Sequence, residues 1–302
     1  MSNAYIRFWG VRGSHAAPYS THMNVGGNTS CVEIRQDNHI VICDAGTGLI
    51  PFGHEILGQK DIRELMVILT HYHWDHVCGL PFFVPAFHPE WKITFFGPGD
   101  DRGEIQKHIS AQMRAPYFPV GTESWLAKID YLAPHDHGLS HGPISIKYNN
   151  VHHPGTTYGY RIKVNGKSVI YISDNECKFI EKSVNKLLPE LNDEEQSLYN
   201  DMIQEEHQQE LELIKGADIL IHDAQYSPED YAKKRGWGHS CYIDTINMSI
   251  DAGVKELYLF HHDPTYDDRT IGKIHEDAEQ IIKERKSSMK CHIAREGLRI
   301  DL

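Results

Sequence analysis

Short apolar segments separated by turn residues run through most of the chain, and helical patterns follow them. Asp101–Met113, Tyr242–Ala252 and Asp267–Lys286 have helical spacing, and Asp75–Phe83 is predicted to begin a further helix. The predicted strands are Tyr5–Trp9, Thr29–Gln36, His39–Cys43, Asp61–Thr70, Lys92–Phe96, Ala127–Leu132, Ile144–Val151, Tyr158–Val164, Ser168–Ser173, Ala217–His222 and Glu256–Phe260.

The order of these elements predicts the fold class. Two strand-rich halves are each followed by helices, and no long Gly/Ser linker separates them. This order predicts an α/β protein with an αββα sandwich, in which two mixed β-sheets are flanked by helices. We expect residues 1–302 to form a single domain.

An acidic segment at about 178–215 departs from this pattern and is predicted to be a helical insertion. Nine carboxylates and no Lys or Arg lie between Pro189 and Glu212, while Leu198 and Met202 have helical spacing. One interpretation is a solvated helix with one packed face. The other is a lid or dimer element above a site, so homodimerisation remains open.

Charge and composition exclude some classes of function. A formal net charge of −12 disfavours stable binding to a nucleic-acid backbone. No apolar run reaches the roughly eighteen residues of a membrane span, and no signal peptide is visible at the N-terminus. The six Cys include no Cys-x-x-Cys pair, which is typical of reduced thiols. We therefore expect a cytoplasmic protein without membrane partners.

One motif carries the strongest chemical signal. The sequence His71-Tyr72-His73-Trp74-Asp75-His76 follows the apolar run Leu65–Thr70. Imidazole nitrogens and carboxylate oxygens are good ligands for Zn²⁺ and similar divalent ions. Four such groups at the end of a predicted strand indicate a metal site at the rim of a sheet.

Three further strand ends supply candidate ligands. His152-His153 follows Ile144–Val151, Asp174 follows Ser168–Ser173, and His261-His262 follows Glu256–Phe260. Strand ends of one sheet can converge although they are far apart in sequence. The residues alone do not decide between His152 and His153, or between His261 and His262.

These motifs resemble the metallo-β-lactamase fold, and the resemblance spans nearly the whole chain from Asp44-Ala45-Gly46-Thr47-Gly48 to His261. The spacing from His153 to Gly159-Tyr160 is similar to the ribonuclease Z and phosphodiesterase branch. The resemblance implies two divalent ions, most simply Zn²⁺, with Mn²⁺ or Fe as alternatives. It assigns His71, His73 and His153 to one ion, Asp75, His76 and His261 to the other, Asp174 as a bridge, and Asp44 as a support behind the site.

The same resemblance suggests further residues. His239, within Gly236-Trp237-Gly238-His239-Ser240, would protonate the leaving group, and Asp75 would orient the attacking hydroxide between the ions. His222 and Asp223 would support the site. Aromatic residues in Pro116–Val120 are candidates for a base pocket, although core packing is the usual role of such residues.

The predicted function is a dinuclear metal-dependent phosphodiesterase acting on 3′,5′-cyclic nucleotides or a similar small phosphodiester. A ribonuclease Z-like RNA-processing nuclease and a lactonase-type carbonyl hydrolase are the alternative enzymes. The alternative that is not an enzyme is a di-iron sensor module.

Overall fold

A computed structural model describes residues 3–134, 139–184 and 188–302. The described residues contain strands β1 (Ala4–Gly10), β2 (Cys31–Gln36), β3 (His39–Cys43), β4 (Glu64–Ile68), β5 (Lys92–Phe96), β6 (Lys128–Leu132), β7 (Leu139–His141), β8 (Ile144–Asn150), β9 (Tyr158–Val164), β10 (Lys167–Ile172), β11 (Ile219–Asp223), β12 (Glu256–Phe260), β13 (Lys290–Ile293) and β14 (Arg299–Asp301).

The helices lie mainly between strands. They are α1 (Leu49–Leu57), α2 (Trp74–Val77), α3 (Arg102–Ala111), α4 (Phe179–Val184), α5 (Asp193–Ile214), α6 (Pro228–Lys234), α7 (Tyr242–Asp251) and α8 (Asp268–Glu284). None of them, within the described parts of the chain, is long and apolar enough to cross a membrane.

The strands form two sheets of seven. Their orders are β14-β1-β2-β3-β4-β5-β6 and β13-β12-β11-β10-β9-β8-β7. In the first sheet β3 to β6 are parallel and the rest antiparallel, and in the second β10 to β13 are parallel. The predicted fold class, an αββα sandwich of two mixed sheets, is confirmed.

Alternate residues of each central strand enter different cores, as the two-residue period of a strand requires. From β4, Met66 and Ile68 join the core between the sheets, whereas Leu65 and Val67 pack with α1 and α3 on the outer face. Helices α5, α7 and α8 cover the other sheet through residues of the first core. The burial of both faces explains why the central strands are nearly continuous apolar runs.

Some elements differ from the sequence-based expectation. Helix α1 was not predicted because Pro51 and Gly53 lower its helical signal, yet Pro51 lies in the first turn, where its missing N–H costs nothing. The helix predicted to begin at Asp75 is short: α2 ends at Val77, and a 3₁₀ turn at Leu80–Phe82 follows Gly79.

The acidic segment forms α4, a 3₁₀ turn and α5, while residues 185–187 lie outside the described residues. A capping box of Asn192 and Glu195 starts α5. The expectation of a solvated acidic face needs one correction. The Glu206 carboxylate is buried and accepts the N–H of Ile180 at 2.9 Å, so α5 anchors the chain that follows β10.

Candidate metal centre

The candidate ligands are brought together by the carboxyl ends of parallel strands from both sheets. Asp44 follows β3 and His71 lies three residues beyond the end of β4, while Asp174 and His261 follow β10 and β12. Because β3 pairs in parallel with β4, and β10 to β12 are parallel, these ends meet at one edge of the sandwich. A crevice at the carboxyl ends of strands is the usual place for a ligand site in an α/β sheet.

His71, His73 and His153 form a first group, here called the open cluster. One ligand atom from each lies within 4.8 Å of the others. His73 Nδ1 is 2.9 Å from His71 Nε2 and 3.0 Å from His153 Nε2. His73 is exposed, so this cluster faces solvent.

Asp75, His76, Asp174 and His261 form a second group, here called the closed cluster. All four are buried, and their ligand atoms also lie within 4.8 Å of one another. Asp75 Oδ2 is 3.2 Å from His76 Nε2 and 3.1 Å from His261 Nε2. The backbone N–H of Ser14 donates to the same Asp75 oxygen at 2.7 Å.

Asp174 lies between the two clusters. Its Oδ1 is 3.1 Å from His76 Nε2 and 3.4 Å from His261 Nε2. Its Oδ2 is 3.8 Å from both His71 Nε2 and His153 Nε2. The two oxygens of one carboxylate therefore face different clusters, which is the geometry that a bridging ligand needs.

A second layer of contacts orients four of the histidines. In each, Nδ1 contacts a protein oxygen and Nε2 is left facing the site: Thr70 Oγ1 for His71 at 3.0 Å, Asp44 Oδ2 for His76 at 2.8 Å, Gly238 O for His153 at 2.8 Å and Gln225 Oε1 for His261 at 2.9 Å. Such outer contacts fix the tautomer and ring orientation of metal-binding histidines.

The Asp44 carboxylate is held by hydrogen bonds from three residues. It accepts hydrogen bonds from the N–H and hydroxyl of Thr70 and from the hydroxyl of Tyr171, in addition to His76. These contacts hold Asp44 behind the closed cluster, which is the position that the family resemblance implies.

Two buried atoms test whether this centre suits a cation. His76 Nε2 and Asp174 Oδ1 are buried and lie 3.1 Å apart, but neither makes a hydrogen bond of suitable geometry. Buried polar atoms without partners are costly, and a cation between them would satisfy both. The set of imidazole and carboxylate ligands also fits Zn²⁺ and comparable divalent ions.

The electrostatics of the closed cluster also favour positive charge. Burial alone would raise the pKa of Asp174, but His261, His76 and His71 outweigh burial and hold that pKa well below its usual range. Burial would lower the pKa of His76, yet Asp174, Asp75 and Asp44 raise it. The carboxylates thus stay ionised, and the attraction that favours a proton on His76 would equally favour a divalent cation that displaces this proton.

His239 lies beside both clusters. Its Nδ1 donates to Asp223 Oδ2 at 2.9 Å and lies 3.7 Å from Asp174 Oδ2. Burial opposes protonation, but Asp223 and then Asp174 raise the pKa of His239. Asp223 also accepts the N–H groups of Asn175 and Gln225, which fixes its carboxylate.

The structure separates the paired candidates that the sequence left open. His153 and His261 enter the clusters, whereas His152 Nε2 contacts Glu206 at 3.2 Å and His262 Nε2 contacts the Ala294 carbonyl at 3.1 Å. His222 is likewise turned away from the clusters: its Nδ1 contacts the Asp223 carbonyl, and its ring lines a small cavity beside α5. Of His222 and Asp223, only Asp223 contacts the site.

A cleft of about 470 Å³ opens from the open cluster. Its lining includes His71 and His73 of the open cluster and the rings of Tyr72, His108 and Tyr158. The rings of Tyr72 and His108 are stacked with centroids 4.6 Å apart. Asp100 and Glu104 add carboxylates to the same walls.

The aromatic residues of Pro116–Val120 do not line this cleft. Tyr117 is 82% exposed, and Phe118 packs edge-on against Phe82.

Several residues that contact the site were missed in the sequence because their contacts use the backbone or a neutral side chain. Ser14 and Gly238 act through the main chain and Gln225 through an amide, and none of these leaves a distinctive sequence signal.

The family follows from comparison with known proteins. A family model described as "Beta-lactamase superfamily domain" matches residues 39–191, about half of the chain. The chain belongs to this superfamily, as the motifs predicted. The Ribonuclease Z of Picrophilus torridus is 25% identical to it over 301 aligned residues, which cover 88% of each protein. The Ribonuclease Z of Streptococcus suis is 24% identical and covers 72% of this chain and 77% of that protein.

Solved structures show the same fold. The metallo-β-lactamase fold protein YhfI from Bacillus subtilis has a TM-score of 0.64 at 19% identity, covering 99% of this chain and 100% of that one. A diphosphatase of the PhnP family gives 0.61 at 16% identity, with 99% and 98% coverage. Human tRNase Z, short form, gives 0.59 at 16% identity, with 100% and 99% coverage. The prediction of a metal-dependent hydrolase is confirmed at the level of this superfamily.

Proposed function

We propose that the protein is a dinuclear metal-dependent phosphodiesterase whose substrates are 3′,5′-cyclic nucleotides or similarly small phosphodiesters. The observation that carries this proposal is Asp174, whose two oxygens face two separate ligand clusters beside His239. The open cluster and Asp174 would hold one divalent ion, and the closed cluster would hold the other. When bound, two such ions activate a water molecule and neutralise charge on a phosphate.

The chain's own residues have defined tasks in this reaction. Asp75 Oδ2, fixed by Ser14 N–H, would hold the attacking water for in-line approach to phosphorus. The water gives one proton to solvent and its oxygen bonds to phosphorus, while the bond to the leaving oxygen breaks and that oxygen takes a proton from His239. The Asp223 contact occupies His239 Nδ1, so Nε2 is the nitrogen left to donate this proton.

Three observations support a small substrate. The net charge of −12 and the carboxylates of Asp100 and Glu104 in the cleft disfavour a long polyanion. The cleft volume of about 470 Å³ is in the range of small-molecule sites. The stacked rings of Tyr72 and His108 offer a flat surface for a nucleobase.

A ribonuclease Z-like nuclease is the second candidate. Its support is the likeness to proteins of that name, 25% identical over 88% of the chain in the Picrophilus case. RNA cleavage would use the same centre and the same leaving-group acid, so the two candidates differ only in what the cleft accepts.

A substrate panel tests the proposal. Protein loaded with Zn²⁺ or Mn²⁺ would be assayed on 3′,5′-cyclic nucleotides, bis-p-nitrophenyl phosphate, a precursor transfer RNA and a lactone series, with Asp75→Ala as the inactive control. We expect turnover of cyclic nucleotides and of the nitrophenyl diester. Turnover of the precursor RNA alone would favour the nuclease, and turnover of lactones alone would overturn phosphodiester chemistry. Iron with a visible absorption band and no hydrolysis would favour the sensor alternative.

The role of His239 has its own test. His239→Ala should lower kcat by about 10²-fold or more on substrates with an alkoxide leaving group. The loss should be much smaller on the p-nitrophenyl diester, whose leaving group departs without a proton, and metal content should stay unchanged. Full kcat on a cyclic nucleotide would contradict the acid role.

A further inference from the structure

Glu176 is a buried carboxylate that none of the candidate ligand groups includes. It lies two residues after Asp174 and is fully buried. Its oxygens accept the Tyr231 hydroxyl at 2.7 Å, the Gly236 N–H at 3.0 Å and the Gly238 N–H at 2.9 Å. A buried carboxylate with three donors is well satisfied, and two of these donors belong to one loop, Gly236–Gly238.

The backbone conformation of this loop requires glycine at two positions. Gly236 and Gly238 have φ of +83° and +85°, the left-handed region that favours glycine. A Cβ on Gly238 would collide with the ring of His153 and with Pro154. The loop therefore packs too closely against His153 to accept a side chain at position 238 without a shift.

Two site residues depend on where this loop lies. The Gly238 carbonyl accepts Nδ1 of His153 at 2.8 Å, which leaves His153 Nε2 facing His73. The next residue is His239, whose ring reaches Asp223. A shift of the loop would move a candidate ligand and the candidate acid together.

We propose that Glu176 is a positioning residue that sets His153 and His239 relative to Asp174 through the Gly236–Gly238 loop. The inference rests on the proposed function for its kinetic consequence. Asp174 and Glu176 are only two residues apart. The same segment of chain therefore fixes the position of the Asp174 carboxylate and, through Glu176, the position of the loop. Small displacements matter because catalysis is sensitive to errors of about 1 Å.

Glu176→Gln is the decisive variant. The amide keeps the size of the side chain but removes its negative charge and one acceptor, so the hydrogen bonds from the N–H groups of Gly236 and Gly238 weaken and the loop should shift. We expect kcat to fall by about 10- to 100-fold with KM little changed. The fall should be larger for cyclic nucleotides than for bis-p-nitrophenyl phosphate, because His239 is needed only for the poorer leaving group.

A second readout does not depend on activity. Titration of the metal-free protein with Zn²⁺ should show that Glu176→Gln weakens one of two binding events by about tenfold, since His153 loses its orientation. Tyr231→Phe is the matched control: it removes one donor to Glu176 but leaves both backbone contacts, so both readouts should stay within a few-fold of wild type.

The outcomes separate the two proposals. If wild type hydrolyses no diester, the proposed function fails, while the Zn²⁺ titration still tests Glu176. If wild type is active and Glu176→Gln keeps its kcat on cyclic nucleotides and its Zn²⁺ affinity, the positioning role is wrong. Should Glu176→Gln fail to fold, Gly238→Ala displaces the same loop with Glu176 intact, and wild-type kcat and Zn²⁺ affinity in that variant would equally overturn the proposal.

Discussion

The open and closed clusters use similar ligands in different surroundings. The closed cluster is buried throughout and contains two carboxylates, whereas the open cluster is formed by histidines, one of them exposed at the cleft. A buried, negatively charged cluster should hold its ion tightly and exchange it slowly. A neutral cluster at the surface should release its ion more readily and contact substrate first. We therefore expect the closed cluster to retain its ion and the open cluster to bind the substrate.

Removal of the shared carboxylate should break both clusters and have the largest effect. Asp174→Ala deletes the oxygens that face each cluster, so we expect both ions to bind weakly. Loss of several kcal/mol of transition-state stabilisation corresponds to a fall in kcat of roughly a thousandfold or more. Metal analysis and single-substrate kinetics would check this, and a variant with two ions and near wild-type kcat would contradict the bridging role.

A change in the open cluster alone should separate the two sites. His153→Ala should leave one tightly held ion per chain and little activity, because the closed cluster keeps all its ligands. The neighbouring His152 contacts Glu206 instead, so His152→Ala is the matched control and should keep two ions. Equal metal loss in both variants would argue against the assignment of His153.

An outer contact of the closed cluster should have an intermediate effect. Asp44→Asn keeps the size of the side chain but weakens the orientation of His76. We expect the affinity of the closed-cluster ion to fall by about 10- to 100-fold, as is usual for such partners. Competition with a calibrated chelator would measure it, and an unchanged affinity would show that His76 needs no support from Asp44.

The smallest expected effect concerns α5 and the support of the segment after β10. Burial, and then the neighbouring Glu206, raise the pKa of Glu210 from 4.5 to about 8. Because the folded chain holds this proton more tightly than the unfolded chain, stability should fall as the pH rises from about 4.5 to 8. The other titratable groups facing Glu210 are Lys182, Cys177, His152 and His222.

Glu210→Gln removes this titration. The variant should match wild type near pH 4.5 and exceed its free energy of unfolding by at least about 1 kcal/mol at pH 8, because Glu210 ionises in the unfolded wild-type chain at that pH and so stabilises the unfolded state. Exposed Glu212 on the same helix gives the control, Glu212→Gln, with no such pH dependence. Parallel stability curves for wild type and Glu210→Gln would contradict the account.

The central strands were predictable because both their faces are buried. Four strands have the predicted bounds: β3 (His39–Cys43), β5 (Lys92–Phe96), β9 (Tyr158–Val164) and β12 (Glu256–Phe260). The edge strands β13 and β14 were missed, since three or four residues with mixed polarity carry almost no periodic signal.

The sequence predicted which residues are candidates for the site, but not which side chain of two adjacent candidates faces it. Adjacent residues of an extended chain point to opposite faces, so of His222 and Asp223 only one can face the site. A sequence alone does not say which. The contacts of Glu176 were beyond prediction for another reason: two of its three partners are backbone N–H groups, which every residue except proline has.

Native mass spectrometry during stepwise chelation tests the central claim most directly, because it counts the ions on each intact chain. For Zn²⁺-loaded wild type we predict two ions per chain, then a one-ion species that accumulates as the open cluster empties first. In His153→Ala the one-ion species should be the starting state. Saturation of wild type at a single ion, or simultaneous loss of two ions without a one-ion species, would contradict the account.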